Sequence, residues 1–143
     1  MRTAICTLFL LMLVFVANVN AGEKTVKIQF NYHGKTVIGS LEDNPASREF
    51  LAMLPLTVKM EDYGAVEKVA WLPDKLNKAN TLPAITPATG DIAYYIPWGN
   101  LAIFRQDFRH SPGLIKLGRI DEGLAALQQS GSAEVRITRV EKQ

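Results

Sequence analysis

With one cysteine and two histidines in 143 residues, the chain is poor in side chains that hold transition metals or act as soft nucleophiles. The cysteine, Cys6, precedes an apolar run near the N-terminus, and no thiol follows it. A disulfide framework, a thiolate metal site and a cysteine nucleophile are therefore excluded from the rest of the chain. His33 and His110 lack partners at metal-ligand spacing, so neither a metal nor any other cofactor is expected. Charge of one sign is also scarce. Sixteen Lys and Arg stand against fourteen Asp and Glu, interspersed rather than blocked, which leaves no field strong enough to hold nucleic acid or an anionic bilayer. The glycines are scattered and build no phosphate-cradling loop. Ser111 beside His110 is the only adjacent pair that could start a catalytic triad, and no nucleophile elbow surrounds it.

Long apolar runs are missing as well, with one exception. Leu8 to Ala17 is uncharged and apolar, but it falls short of the roughly 20 residues that a bilayer-spanning helix needs. Arg2 stands before it and Val19-Asn20-Ala21 after it, the pattern of a secretory signal peptide cut after Ala21. The expectation is a leader over residues 1–21 and one domain over residues 22–143. The protein would then be exported, periplasmic or extracellular, with no membrane contact after cleavage.

What is present is strand pattern. Val26, Ile28, Phe30 and Tyr32 alternate with Lys27, Gln29 and Asn31, a half-buried strand. His33-Gly34-Lys35 turns the chain into a second strand ending at Leu41. Asn44 then caps a short helix whose first position is Pro45. Its apolar stripe is Ala46, Phe50, Met53 and Leu54, with Ser47, Arg48 and Glu49 turned outward, and Pro55 stops it. Further strands are read at 56–61, 67–72, 91–96, 101–104, 114–120 and 134–140. Those at 91–96 and 101–104 are apolar on both faces, as at a barrel wall covered outside by a helix. Asp121 is expected to cap a second helix with Leu124 and Leu127 inward. Pro73 to Thr89 has no periodicity and reads as a long irregular connection. The carboxylate pairs Glu42-Asp43, Glu61-Asp62 and Asp121-Glu122 lie beside turns or helix starts, where free amides favour negative charge. Capping therefore accounts for Asp43 and Asp121 without catalysis. Eight strands and two short helices predict a mainly β fold, a closed eight-stranded barrel with two short capping helices.

Leu41-Glu42-Asp43-Asn44-Pro45, Leu54-Pro55-Leu56-Thr57, Met60-Glu61-Asp62-Tyr63-Gly64, the run from Gly90 to Phe104, and Leu117-Gly118-Arg119-Ile120-Asp121 together resemble the bacterial cyclophilin-like fold proteins. The resemblance spans nearly all of the chain after the leader, in the right order. It implies a closed eight-stranded cyclophilin-like β-barrel with a helix over each open end. The enzymatic cyclophilins of the same fold use a Phe-His-Arg motif, whereas this chain has Phe108-Arg109-His110 in a turn-rich segment. No catalytic residue is carried over, and the chain is not expected to be a standard prolyl isomerase.

The aromatic set around the Pro97-Trp98-Gly99-Asn100 turn is the better candidate. Tyr94 and Tyr95 point to opposite faces, so only one can line a given pocket, while Trp98 and Asn100 combine an apolar surface with hydrogen-bonding groups. A rival role for Trp98 is to plug the barrel end while Asn100 satisfies the turn. The leading expectation is a non-enzymatic module that binds a small molecule or an extended peptide through Tyr63, Tyr95, Trp98, Asn100 and Arg119. The duller role of Arg119 is an ion pair on a neighbouring strand. The alternatives are a prolyl isomerase with a rearranged site, using Arg105 or Arg109 with Phe104 or Phe108, and an assembly protein that docks through the Pro73 to Thr89 loop.

Overall fold

The computed structural model describes residues 24–77 and 83–141. The expected leader at 1–21, and Asn80 and Thr81 of the long connection, lie outside the described residues. Strand β1 (Val26–Tyr32) buries Ile28, Phe30 and Tyr32, as the alternation requires. A two-residue turn at His33 and Gly34, both at positive φ, gives the hairpin twist that pairs Tyr32 with Lys35 at the start of β2 (Lys35–Leu41). Helix α1 (Pro45–Ala52) begins where Asn44 Oδ1 accepts the Ser47 N–H at 2.8 Å. The strands β3 (Leu56–Tyr63), β4 (Glu67–Trp71), β5 (Ala84–Ile85), β6 (Asp91–Tyr95), β7 (Asn100–Phe104), β8 (Ser111–Pro112) and β9 (Leu114–Glu122) follow. Helix α2 (Leu124–Leu127) and β10 (Ala133–Arg139) complete the order.

Eight of these strands close into an antiparallel barrel in the order β1-β10-β3-β4-β7-β6-β9-β2. They are the eight strands expected from the sequence. Strands β2 and β9 approach closely at Gly118, where a Cβ would stand 1.9 Å from the Ser40 carbonyl oxygen. Only glycine allows that approach. Irregularities at Ile38/Gly39 and Ile92/Ala93 bend the wall on either side of it. The interior is filled by Ile28, Phe30, Val37, Met60, Ile92, Tyr94, Leu101, Ile103 and Ile137, so the barrel is a packed core without a lumen. Phe50 of α1 and Leu127 of α2 join that core. The two helices sit at opposite ends of β2: the α1 cap reaches the Lys116 carbonyl, and Gly123 before α2 lies against Thr36 and Val37.

Four local expectations are corrected. Ser47 is fully buried, because its Oγ donates to the Leu117 carbonyl at 2.9 Å and ties α1 to β9. Asp43 does not cap α1; Asn44 does, and Asp43 pairs with Arg48 at 2.5 Å. Asp121 does not cap α2. It belongs to β9 and accepts from Lys27 Nζ at 2.7 Å and from Ser40 Oγ, while Gly123 occupies the cap position without a side-chain bond. Burial works to raise the Asp121 carboxyl, and these two hydrogen bonds together with the charges of Lys27 and Arg119 outweigh it and lower it. The outer cover of β6 and β7 is no helix. Val69, Ala93, Ala102, Phe104 and Leu114 form a second apolar cluster, closed by Val66, Ile85, Tyr95 and Phe108 from strands and loops.

The α2 end of the barrel carries a buried charge cluster. Lys68, fully buried on β4, donates to Asp62 Oδ1 at 2.5 Å and to the Gly131 carbonyl at 2.6 Å, and lies 5.5 Å from the Tyr32 ring centroid. Arg105 donates to the same Asp62 oxygen at 3.0 Å and to the Gly64 carbonyl at 2.8 Å. The Gly131 N–H bonds the other Asp62 oxygen at 2.6 Å. One carboxylate thus fastens the β3–β4 hairpin to the segment between α2 and β10.

Candidate functional site

The outward face of the β4-β7-β6-β9 wall is set by register. Tyr63 opposes Glu67, Glu67 opposes Phe104, and one further row runs Trp71, Asn100, Tyr95, Leu114. On this face sits a depression of about 300 Å³, a volume at the lower limit for small-molecule sites. The sheet contributes Tyr63, Glu67, Val69, Tyr95, Asn100, Phe104 and Leu114, the β6–β7 turn contributes Trp98, and the far wall is Phe108 to Pro112.

Local chemistry places each wall. Gly99 takes φ of +67° and donates to the Tyr95 carbonyl at 2.9 Å, which closes the turn and projects Trp98 outward. Trp98 meets Tyr63 edge to face, with ring centroids 5.2 Å apart, and Tyr95 likewise at 5.5 Å. Trp98 is 45% exposed, so it does not plug the barrel. Tyr94 does face the core, where its hydroxyl accepts the Leu76 N–H at 3.1 Å. The far wall is strapped in place from the opposite loop. Phe108 N–H bonds the Pro87 carbonyl at 3.0 Å, Asp107 accepts twice from Thr89, and β5 pairs with β8. The backbone N–H of Thr89, followed by its hydroxyl, lowers the Asp107 carboxyl. Phe108 stacks on Phe104 at 6.4 Å, and the Arg109 guanidinium lies 4.7 Å over the Phe108 ring.

Two acceptor groups on residues that line the depression lack a donor among the described residues. Asn100 is 1% exposed, yet its Oδ1 has no hydrogen-bond partner among the described residues, an arrangement that costs folding energy unless something donates to it. Glu67 is half-buried and takes part in no ion pair among the described residues. Burial alone pushes its carboxyl above the ordinary value.

The structure brings together Tyr63, Tyr95, Trp98 and Asn100 and leaves Arg119 out. Arg119 lies between Ser40 and Asp91 in register, five positions along β9 from Leu114, roughly 16 Å away at about 3.3 Å per residue. Phe104, Phe108 and Arg109 of the rival reading line the depression. Arg105 does not, being held by Asp62 and Gly64. Glu67, Val69 and the Ser111-Pro112-Leu114 edge were missed. Glu67 was legible in principle, since it flanks the same short turn as Tyr63 and hairpin register sets the two side by side. A larger hollow of about 430 Å³ beside α1 is lined by Val26, Leu51 and the mutually paired Asp43 and Arg48; neither of the unpartnered buried atoms lies there. Among the described residues no group of three metal-binding side chains occurs, and no helix is long and apolar enough to cross a membrane.

A hypothetical protein from Archaeoglobus fulgidus, known from its solution structure, is similar in fold, with a TM-score of 0.65 and 16% identity over 85% of this chain and 99% of that one. No curated protein matches in sequence. The model of the family described as the cyclophilin-like family matches residues 30–138, nearly the whole barrel, and the chain belongs to that family.

Proposed function

We propose that this barrel is an exported, non-enzymatic binding module, periplasmic or extracellular, that takes a small molecule or an extended peptide segment in the depression on its β4-β7-β6-β9 face. The observation that carries the reading is the buried Asn100 Oδ1, left without a donor among the described residues beside three amphipathic rings, Tyr63, Tyr95 and Trp98. Such a group is costly in a purely structural surface and useful in a site that supplies its partner from outside. Export rests on the leader pattern at residues 1–21.

A thermal-shift screen against small metabolites, carbohydrates and X-Pro peptides tests the reading. A ligand at a hundred times its dissociation constant adds about 2.7 kcal/mol, several degrees in a domain of this size. Trp98→Ala should abolish the shift and keep the fold; an unchanged affinity rules the site out.

One observation favours a second reading, a prolyl isomerase with a rearranged site: Phe104, Phe108 and Arg109 border the same depression. A catalysed rate on proline peptides that disappears in Arg109→Ala would establish it.

A further inference from the structure

Two acceptors on residues that line the depression lack a donor from within the described part of the protein. Asn100 Oδ1 is buried and without a donor among the described residues. The Glu67 carboxylate faces Tyr63 across the β3–β4 hairpin and is bound by none of the protein's ion pairs among the described residues. Tyr63, Trp98 and Tyr95 stand edge to face around the opening, with interplanar angles of 81° and 76°, so ring faces of negative potential point in more than one direction. The positive groups nearby are engaged elsewhere or stand at the rim. Arg109 is exposed and lies on the Phe108 ring, and exposed His110 shares its Nδ1 with Thr86 Oγ1 at 3.1 Å. Lys68 and Arg105, which flank Glu67 in sequence and Phe104 in the chain, are committed to Asp62.

We infer that the ligand is a small organic ammonium compound, with its N–H groups donated to Asn100 Oδ1 and Glu67 and its carbon frame against Tyr63, Tyr95 and Trp98. This rests on the binding reading above and gives that site a ligand class. Each element of the site acts in the same direction. A positive charge near the rings gains cation–π attraction, the carboxylate gains the counter-ion that its burial lacks, and Asn100 gains its missing donor. An anion finds only the exposed, screened Arg109 and His110. About 300 Å³ accommodates a compact amine rather than a folded partner.

The test is an NMR titration of the protein with benzylammonium, benzyl alcohol and benzoate, which share a ring and differ in charge and donors. Benzylammonium should bind at least fivefold tighter than benzyl alcohol, and benzoate weakest. Glu67→Gln, nearly isosteric and therefore compatible with the fold, should at least halve the ammonium-to-alcohol ratio. Trp98→Ala should weaken all three. Equal or tighter binding of benzyl alcohol or benzoate overturns the ammonium assignment and leaves the binding reading standing, as does a preference left unchanged by Glu67→Gln. Tighter binding of a lysine-containing pentapeptide than of benzylammonium overturns the small-molecule assignment. Failure of all three probes and of the pentapeptide to bind overturns both readings.

Discussion

Replacing Asp62 with Asn removes one negative charge that two buried cations share. Lys68 is fully buried and Arg105 is 7% exposed, so neither can turn to water when its partner is lost. Removing one member of a buried ion pair costs about 3–5 kcal/mol. The Asp62 side chain is 28% exposed, and water reaching the vacated position should recover part of that, so about 3 kcal/mol is expected. In a domain of this size that lowers the thermal midpoint by roughly 10 °C. The change also carries a pH signature. The Gly131 N–H first, then the Lys68 hydrogen bond, and further the charges of Lys68 and Arg105 hold the Asp62 carboxyl below its ordinary 3.8, against the opposing effect of burial. A lowered folded value means that the stabilisation is complete above 3.8 and is lost as pH falls through the folded value. Urea unfolding of the wild type and Asp62→Asn, followed by far-UV circular dichroism at pH 7 and near pH 3, should therefore show a wide gap that narrows in acid. Lys68→Met removes the buried cation together with its need for a partner, and should cost clearly less than Asp62→Asn. A gap below about 0.5 kcal/mol at pH 7, the level of an ordinary surface change, refutes the account of this cluster, and so does a gap that does not narrow in acid.

Gly118→Ala should destabilise by about 3 kcal/mol or prevent closure, because its Cβ would overlap the Ser40 carbonyl on the facing strand; thermal unfolding reads the loss. Ser47→Ala removes a buried hydroxyl that donates to the Leu117 carbonyl, which keeps the Glu42 N–H as a partner, and should cost about 1 kcal/mol by urea unfolding. Trp98→Ala should change stability by less than about 1 kcal/mol, since the ring is half out of the structure, and this separates its binding role from a folding role. The proposed export predicts that protein recovered from outside the cytoplasm begins at Gly22, which N-terminal sequencing checks.

The barrel was legible because most of its strands declare a face. Ile28, Phe30 and Tyr32 alternate with polar residues, and Asn44-Pro45 marks a helix start by capping chemistry alone. Ser47 misled because a polar side chain on a short helix normally seeks water, and only the closeness of β9 makes the Leu117 carbonyl its partner. Asp121 misled for a similar reason. Its capping signature is real, but β9 continues to Glu122, so the carboxylate is spent on Lys27 and Ser40 before the helix begins. The apolar outer faces of β6 and β7 announced a cover without saying what kind. The cover is built from Ile85 and Phe108, which belong to segments without periodicity. For the site, Trp98, Asn100 and Tyr95 lie within one turn and Tyr63 carries its own exposed ring. Arg119 required the register of β9, and an irregularity at Ile92/Ala93 shifts that register in a way no local pattern records. Fold membership alone assigns no chemistry, so the functional claim rests on Asn100, Glu67 and the three rings.

The most direct test of that claim is an amide and indole NMR map of the protein titrated with benzylammonium. The account predicts saturable shifts at the Trp98 indole, the Asn100 side-chain amide, and the backbone of Tyr63, Glu67 and Tyr95. Shifts confined to Val26, Arg48 and Leu51 beside α1, or no saturable shift at Trp98 and Asn100, would contradict it.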